Sequence, residues 1–366
     1  MATLHSPLSE AAYRDFLTAA AELTNRWADV GLDAHSELDG YRWAMSLIGV
    51  ANDVFVFADP LRPRFQDIVG PYRKFNGDNV DAFYQFAPID PARTYRVRGR
   101  MGDAVYLSLT VYGTALDAET EDRVVHTDRI VAIVNDRDLD IADDGTFEIV
   151  LSPEPHDGNW IELTPESVCA ITRDYVNEPR TARRVEWHIE AVDEPRAWRD
   201  TDAELAARFT AAARWLREHA RSFPSPLGPP NEVLPPYPVP AVTTGWAAGD
   251  AAYAMGAFQL GDDEALVIRG RSPECRFWNL CIWNQFIVTY NYDYDEPVSI
   301  NGSQVTYERD GSWTIVVAPT DTGHPNWLST AGHSQGKLWF RWFYPSGTPD
   351  APTCEVVPLG QAPTSI

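Results

Sequence analysis

The spacing of hydrophobic positions changes along the chain. Over the first sixty residues they recur at three- and four-residue steps. Tyr13, Phe16, Leu17, Ala20, Leu23 and Trp27 fall on one face of a predicted helix. Ser6-Pro7 offers it a cap and a first-turn proline. Gly31–Asp33 interrupts the pattern, and Ser36 can cap a second helix carrying Leu38, Arg42, Met45 and Ile48. Gly40 and Gly49 weaken that helix, because each costs propensity.

From about residue 70 the period is two. Val105, Leu107, Leu109 and Val111 alternate with Tyr106, Ser108, Thr110 and Tyr112, the pattern of a half-buried strand. Further short strands are predicted at Tyr95–Arg98, Ile130–Val134, Phe147–Leu151, Val168–Tyr175 and Val185–Ala191, separated by turn residues such as Asp143-Asp144-Gly145. A third helix starts at a capping box, Thr201 with Glu204, and shows Leu205, Phe209, Ala212 and Leu216 on one face. Eight prolines in Ser222–Pro240 then impose an extended connector. Alternation resumes beyond residue 250.

The chain also repeats itself. Asp144-Gly145-Thr146-Phe147 and the run to Pro153 have a counterpart in Asp310-Gly311-Ser312-Trp313 and the run to Pro319. Both runs lead to Asn-Trp-apolar triplets, Asn159-Trp160-Ile161 and Asn326-Trp327-Leu328, and then to strand arginines, Arg173 and Arg341. Val97–Arg100 matches Ile268–Arg271, and Val105–Val111 matches Arg276–Ile282. Ordered matches at a nearly constant offset indicate duplication. The fold class that follows is mainly β: two tandem homologous jelly-roll-like antiparallel β-sandwich domains, with an N-terminal helical segment and a connecting helix. The boundaries are residues 1–65 for the helical segment, 66–195 for the first sandwich, 196–245 for the connecting helix and proline-rich linker, and 246–366 for the second sandwich. The helices are placed over sheet edges or the inter-domain groove.

The same residues carry a resemblance. Asn326-Trp327-Leu328 followed by Gly336-Lys337-Leu338-Trp339-Phe340-Arg341-Trp342-Phe343-Tyr344-Pro345 resembles the signature of the bacterial family of unknown function 1214, and Ser299-Ile300-Asn301 resembles a second piece of it. Asn79-Val80-Asp81-Ala82-Phe83-Tyr84, with Ile89-Asp90, is similar to a motif of its usual N-terminal partner, unknown-function family 1254, except that Ala82 stands where that family has Thr. The resemblance implies two jelly-roll-like domains in tandem and no established activity.

Composition narrows the function. The 366 residues suffice for two or three cores, and 44% hydrophobic with 23% charged residues is ordinary globular usage. No apolar run is long enough to span a membrane. The N-terminus has no basic start followed by an apolar stretch, so no cleaved signal peptide is expected. A net charge of -23 disfavours nucleic acid and anionic lipid as partners. Cys169, Cys275, Cys281 and Cys354 are too few and too scattered for a disulfide framework or a zinc site, and a cytoplasmic location is the default. No nucleophile elbow, H-E-x-x-H, Cys-x-x-Cys or glycine-rich nucleotide loop occurs, so no cofactor or metal is expected. The acidic runs Asp140–Asp144 and Asp293–Glu296 lack calcium-loop spacing and read as solvated turns.

The densest polar cluster is Lys74–Tyr84. Asp81 or Asp78 would serve as general base, with Tyr84 as acid or electrophilic partner. Lys74 and Asn79 would position the substrate. The competing reading is an Asx-type turn entering a strand. No equivalent cluster is evident at the matching place in the second unit, which favours function over scaffold. His333, in a Gly-His-Ser-Gln-Gly loop, is a further catalytic candidate and equally an exposed loop residue. Arg98 and Arg341 are candidates for an anionic group, against the commoner fate of strand arginines, which is pairing with cross-strand acids. Asn279 and Trp283 resemble a ligand-facing amide-aromatic strip; Asn326 and Trp327 are substrate-binding candidates or, being duplicated, loop closers.

These readings lead first to a cofactor-independent acid/base enzyme, a hydrolase, lyase or isomerase, acting on a small organic or glycosidic substrate in a groove at or between the sandwiches. The alternative is a non-catalytic jelly-roll module binding a carbohydrate or apolar small molecule. A further alternative is a structural protein that assembles into homo-oligomers.

Overall fold

The computed structural model describes residues 6–30, 32–70, 73–114, 129–192, 200–237, 246–290 and 296–366. Asp293–Asp295 and the end of the proline tract lie outside them. Each unit contains nine strands among the described residues. The first has β1 (Gln66–Val69), β2 (Ala82–Pro88), β3 (Tyr95–Arg100), β4 (Tyr106–Gly113), β5 (Arg129–Asn135), β6 (Thr146–Ser152), β7 (Trp160–Glu162), β8 (Ser167–Tyr175) and β9 (Glu186–Ala191). The second has β10 (Glu232–Val233), β11 (Ala251–Gln259), β12 (Glu264–Gly270), β13 (Phe277–Trp283), β14 (Ser299–Asn301), β15 (Trp313–Ala318), β16 (Trp327–Ser329), β17 (Gln335–Phe343) and β18 (Thr353–Pro358).

The first unit forms a five-stranded sheet, β1-β2-β8-β4-β5, and a four-stranded sheet, β7-β6-β3-β9. The second forms β10-β11-β17-β13-β14 and β16-β15-β12-β18. Adding nine to each strand number of the first unit generates the second, so the duplication extends to topology. Pairing is antiparallel except for the short parallel pairs β6·β7 and β15·β16.

Within each unit the two sheets enclose an apolar core, as period-two alternation requires. Val97, Leu107, Leu109, Ile149 and Ala170 share the first core. Ile268, Leu280, Ile315, Leu338 and Phe340 share the second. The opposite faces of the five-stranded sheets meet each other, with Tyr106 and Tyr175 against Phe277 and Phe343. The layers therefore run four strands, five, five, four. β4 and β13 are buried at every position, on both faces. The half-buried strand expected at Val105–Val111 is thus corrected: its polar face is covered by the other unit rather than by water.

The helices α1 (Pro7–Glu22), α2 (Trp27–Val30), α3 (Ala34–Ala51) and α4 (Asp202–Ser222) form a cluster against β1, β2 and β8 and against Phe286 and Val288 of the second unit. The Thr201–Glu204 capping box opens α4. Ser6 makes no side-chain cap bond, and Asp33, not Ser36, caps α3 by accepting from the Ser36 amide. Gly40 sits inside α3 because a Cβ there would come within 2.9 Å of the Trp27 and Phe286 rings. Gly145 and Gly311 occupy the same left-handed turn position in the two units, at φ 81° and 82°. Among the described residues no helix is long and apolar enough to cross a membrane.

Trp43 of α3 fastens this layer. It is fully buried, lies 4.8 Å from the Phe286 ring, and donates from Nε1 to Asn76 Oδ1 at 2.8 Å. Trp43→Ala is expected to cost about 3–5 kcal/mol of unfolding free energy, read by denaturant titration.

Candidate functional site

The facing five-stranded sheets touch reciprocally. Residues at matched places in the units, Tyr175 and Phe343, contact each other at 4.6 Å between centroids. Tyr106 meets Phe343 at 4.5 Å, and its counterpart Phe277 meets Tyr175 at 5.1 Å. Contacts in which i meets j and j meets i are those of a two-fold interface, here within one chain.

Two aspartates cross that interface. Asp81 immediately precedes β2, and its carbonyl accepts from the Val176 amide; Asp250 immediately precedes β11, and its carbonyl accepts from Tyr344. The carboxylate of Asp81 enters the second unit, where Asn279 Nδ2 donates to Oδ2 at 2.8 Å and Asn301 Nδ2 to Oδ1 at 3.0 Å. The carboxylate of Asp250 enters the first unit and accepts from the Tyr106 hydroxyl at 2.6 Å. Asp81-Ala82-Phe83-Tyr84 and Asp250-Ala251-Ala252-Tyr253 are therefore equivalents. This corrects the expectation that the acid-plus-phenol cluster occurs in the first unit alone.

The rest of Lys74–Tyr84 is a strut into the second unit. Asp78 is fully buried and accepts from the Thr289 amide at 2.8 Å and hydroxyl at 2.7 Å. Lys74 Nζ reaches Asp78 at 3.5 Å and also bonds Thr289; burial lowers its pKa. Asn79 Oδ1 accepts from the Asp81 amide at 2.9 Å, the Asx turn, and from Asn279 at 2.8 Å. Burial pushes Asp81 up to about 6, against the amides and the Arg341 charge, which favour the carboxylate. Burial raises Asp250 as well.

Beside this strut lies a cavity of about 560 Å³ lined by both units and by α4. Each unit contributes one cross-strand Tyr–Arg pair: Tyr84 opposite Arg173 on β2·β8, and Tyr253 opposite Arg341 on β11·β17. Arg173 donates to Thr110 Oγ1 at 3.2 Å, to the Tyr112 hydroxyl at 2.7 Å and to the Trp246 carbonyl, with its guanidinium over the Tyr84 ring at 5.1 Å. Arg341 donates to the Gly77 and Asp78 carbonyls at 2.9 and 3.1 Å and lies 4.9 Å from the Trp283 ring centroid. Among the described residues neither guanidinium has a carboxylate within ion-pair distance. The acids whose charges reach them, Asp250 and Asp81, already hold bonds across the interface. Trp283 and Trp339 stack at 4.6 Å on the second unit's wall, while Phe75, Trp215, His219 and Phe223 form the wall toward the helices.

Of the site residues expected from sequence, Tyr84, Trp283 and Arg341 line this cavity. Asp78, Asp81, Lys74, Asn79 and Asn279 form the buried strut next to it and do not line it. The others lie elsewhere. Arg98 is exposed on an outer sheet and pairs with Glu148 at 3.1 Å and Glu190 at 2.9 Å, the ordinary cross-strand fate. His333 is buried, stacked on Tyr290 at 4.0 Å, with Nε2 3.4 Å from Asp39 of α3, so it clasps that helix. Asn326 closes a loop on the Thr306 amide and the Thr306 and Thr314 carbonyls at 2.8 Å each, and Trp327 donates to the Ala318 carbonyl at 3.2 Å. Asn159 makes the same closure in the first unit.

Tyr253 and His219 escaped sequence reasoning. The flank of Tyr253, Gly245-Trp246-Ala247-Ala248-Gly249, shares nothing with Lys74–Asn79. The one signal for His219 was its position four residues after Trp215, on the same helix face.

The raised pKa of Asp81 has a testable consequence. An unfolded aspartate titrates near 3.9. The folded chain therefore holds this proton more tightly, and Asp81's contribution to stability falls as pH rises from about 4 through about 6. Asp174, pushed up to about 7 by burial, acts in the same direction. Asp81→Asn removes only the first share. Between pH 5 and 7 the unfolding free energy of Asp81→Asn is expected to gain on the order of 1 kcal/mol relative to the native sequence, by denaturant titration at each pH.

Comparisons with known proteins follow the same division. A family model described as protein of unknown function (DUF1214) matches residues 84–179 and 259–347, which run from β2 to β8 and from the end of β11 past β17. The first stretch takes in Tyr84 and Ile89-Asp90 of the motif likened above to family 1254 but not Asn79–Phe83, and it is matched by the same model as the second; the likeness to family 1254 is not shown. A crystal structure of an uncharacterised protein from Burkholderia cenocepacia is similar at 28% identity and a TM-score of 0.84, covering 97% of this chain and 98% of that one. A protein from Vibrio parahaemolyticus shares the fold at 13% identity and a TM-score of 0.53, covering 97% of this chain and all of the other. Comparison with curated proteins finds no match. With both sandwich units matched by one family model, the chain belongs to the DUF1214 family.

Proposed function

We propose that this chain binds a small organic anion with an apolar body in the cavity between its units, Arg173 and Arg341 holding the anionic group and the tryptophan and phenylalanine walls holding the rest. One observation carries this reading: two buried guanidiniums, from equivalent strands of a duplicated fold, line one cavity, and among the described residues no carboxylate, Glu218 of the same lining included, lies within ion-pair distance of either. A buried charge is costly unless partnered, and a carboxylate or phosphate supplies the partner in the planar geometry a guanidinium prefers. Stacked aromatic rings favour an apolar or aromatic ligand body.

A second reading is acid/base turnover of the same anion. It draws on Tyr84, whose hydroxyl shares a hydrogen bond with that of Tyr175 at the cavity edge. Asp78 and Asp81 take no direct part in it, being buried outside the lining.

The test is calorimetric titration of aromatic carboxylates and phosphate monoesters against their neutral amides and alcohols. The anions are expected to bind and the neutral analogues to bind at least tenfold more weakly. Arg173→Gln and Arg341→Gln should each weaken the anion about 10- to 100-fold, the range of a charge-assisted hydrogen bond. Equal affinity for acid and amide would overturn the reading.

A further inference from the structure

Resting on that reading, we infer that the anion this cavity takes carries a hydrogen-bond donor, such as a hydroxyl, and that His219 of α4 receives it. His219 belongs to the cavity wall and sits in the last turn of α4. Its Nδ1 lies 2.8 Å from the Trp215 carbonyl. A carbonyl can only accept, so Nδ1 carries the proton and Nε2 is left with the lone pair in the neutral ring. The ring is held by aromatic neighbours: Trp215 at 4.1 Å, Phe223 stacked at 6.0 Å and Phe75 at 6.1 Å. It cannot turn over to offer a donor without breaking the carbonyl bond. Burial holds the imidazole neutral, down to about 4, so near neutral pH it adds an acceptor rather than a third positive charge.

The wall also carries Glu218, Asn76, Ser222, Tyr84, Tyr237 and Tyr253, but the guanidiniums and the imidazole each have a fixed sense. The arginines donate and want an acceptor with negative charge; the imidazole accepts and wants a donor. A plain fatty or aromatic acid satisfies the first and brings no donor to Nε2. A hydroxy acid satisfies both. A site built around a hydroxyl discriminates against the analogue lacking it, because its own buried polar group is then left without a partner.

Matched pairs test this: 3-phenyllactate against 3-phenylpropionate, and mandelate against phenylacetate, titrated into the native chain and into His219→Phe. Phenylalanine keeps the ring packing and removes both nitrogens. The hydroxy acid is expected to bind about 5- to 10-fold more tightly than its partner to the native chain, and the advantage to vanish in His219→Phe, where the hydroxy acid loses its acceptor and the deoxy acid binds no more weakly than before. A second readout needs no variant: in a ¹⁵N-histidine spectrum the hydroxy acid should move the His219 Nε2 resonance and the deoxy acid should leave it in place. Equal binding within the pairs, or a hydroxyl advantage that survives His219→Phe, overturns this inference and leaves the anion reading standing. Failure of either acid to bind in preference to its amide overturns the anion reading itself and this inference with it.

Discussion

Asp81 and Asp250 each stand at the entrance to an inner strand, and each places its carboxylate in the other unit's sheet. This exchange fixes how the two sandwiches meet. The register it imposes sets Tyr175 on Phe343 and brings Arg173 and Arg341 to a common cavity. The acids are not ornamental ion pairs, since their direct donors are amides, the Ser299 hydroxyl and a phenol rather than bases. A buried carboxylate is tolerated because every lone pair it presents to a donor recovers part of the lost hydration. The raised pKa values of both acids show that the recovery is incomplete.

Duplication supplied the frame, and divergence made a site of it. The two sheets of each unit keep their strand order, their Asp-Ala-x-Tyr entrance and their central arginine. The side chains around the arginines differ: Thr110 and Tyr112 hold one, while the Gly77 and Asp78 carbonyls hold the other. The helices break the symmetry further, because α4 meets the cavity on one side only and brings Trp215, His219 and Phe223 to it. A symmetric cleft thereby acquires a direction.

Charge is arranged in opposition across the molecule. The chain carries a net charge of -23, yet two arginines line its interior cavity with no ion pair among the described residues. The exposed arginines of the outer sheets, Arg98 and Arg269, are paired with Glu148, Glu190 and Glu355.

Local patterns alone determined much of this. Helical spacing gave the N-terminal segment, the Thr201–Glu204 box gave the start of α4, and repeated turn and Asn-Trp motifs gave the duplication, because each depends on neighbours a few residues apart. The Asx turn at Asn79 was legible for the same reason. What the tertiary structure decided was what covers each face. Alternation on β4 announces two unlike faces but cannot say that the polar one meets a second sheet instead of water. The equivalence of Asp250-Ala251-Ala252-Tyr253 with Asp81–Tyr84 was hidden, since three shared residues beside a diverged flank are too few to notice until strand register aligns them. The separation of Arg173 and Arg341 from Arg98 and Arg269 is likewise decided by layer: inner-sheet positions are closed off by the facing unit, outer-sheet positions stay within reach of cross-strand glutamates, and no local pattern records which sheet a strand will join.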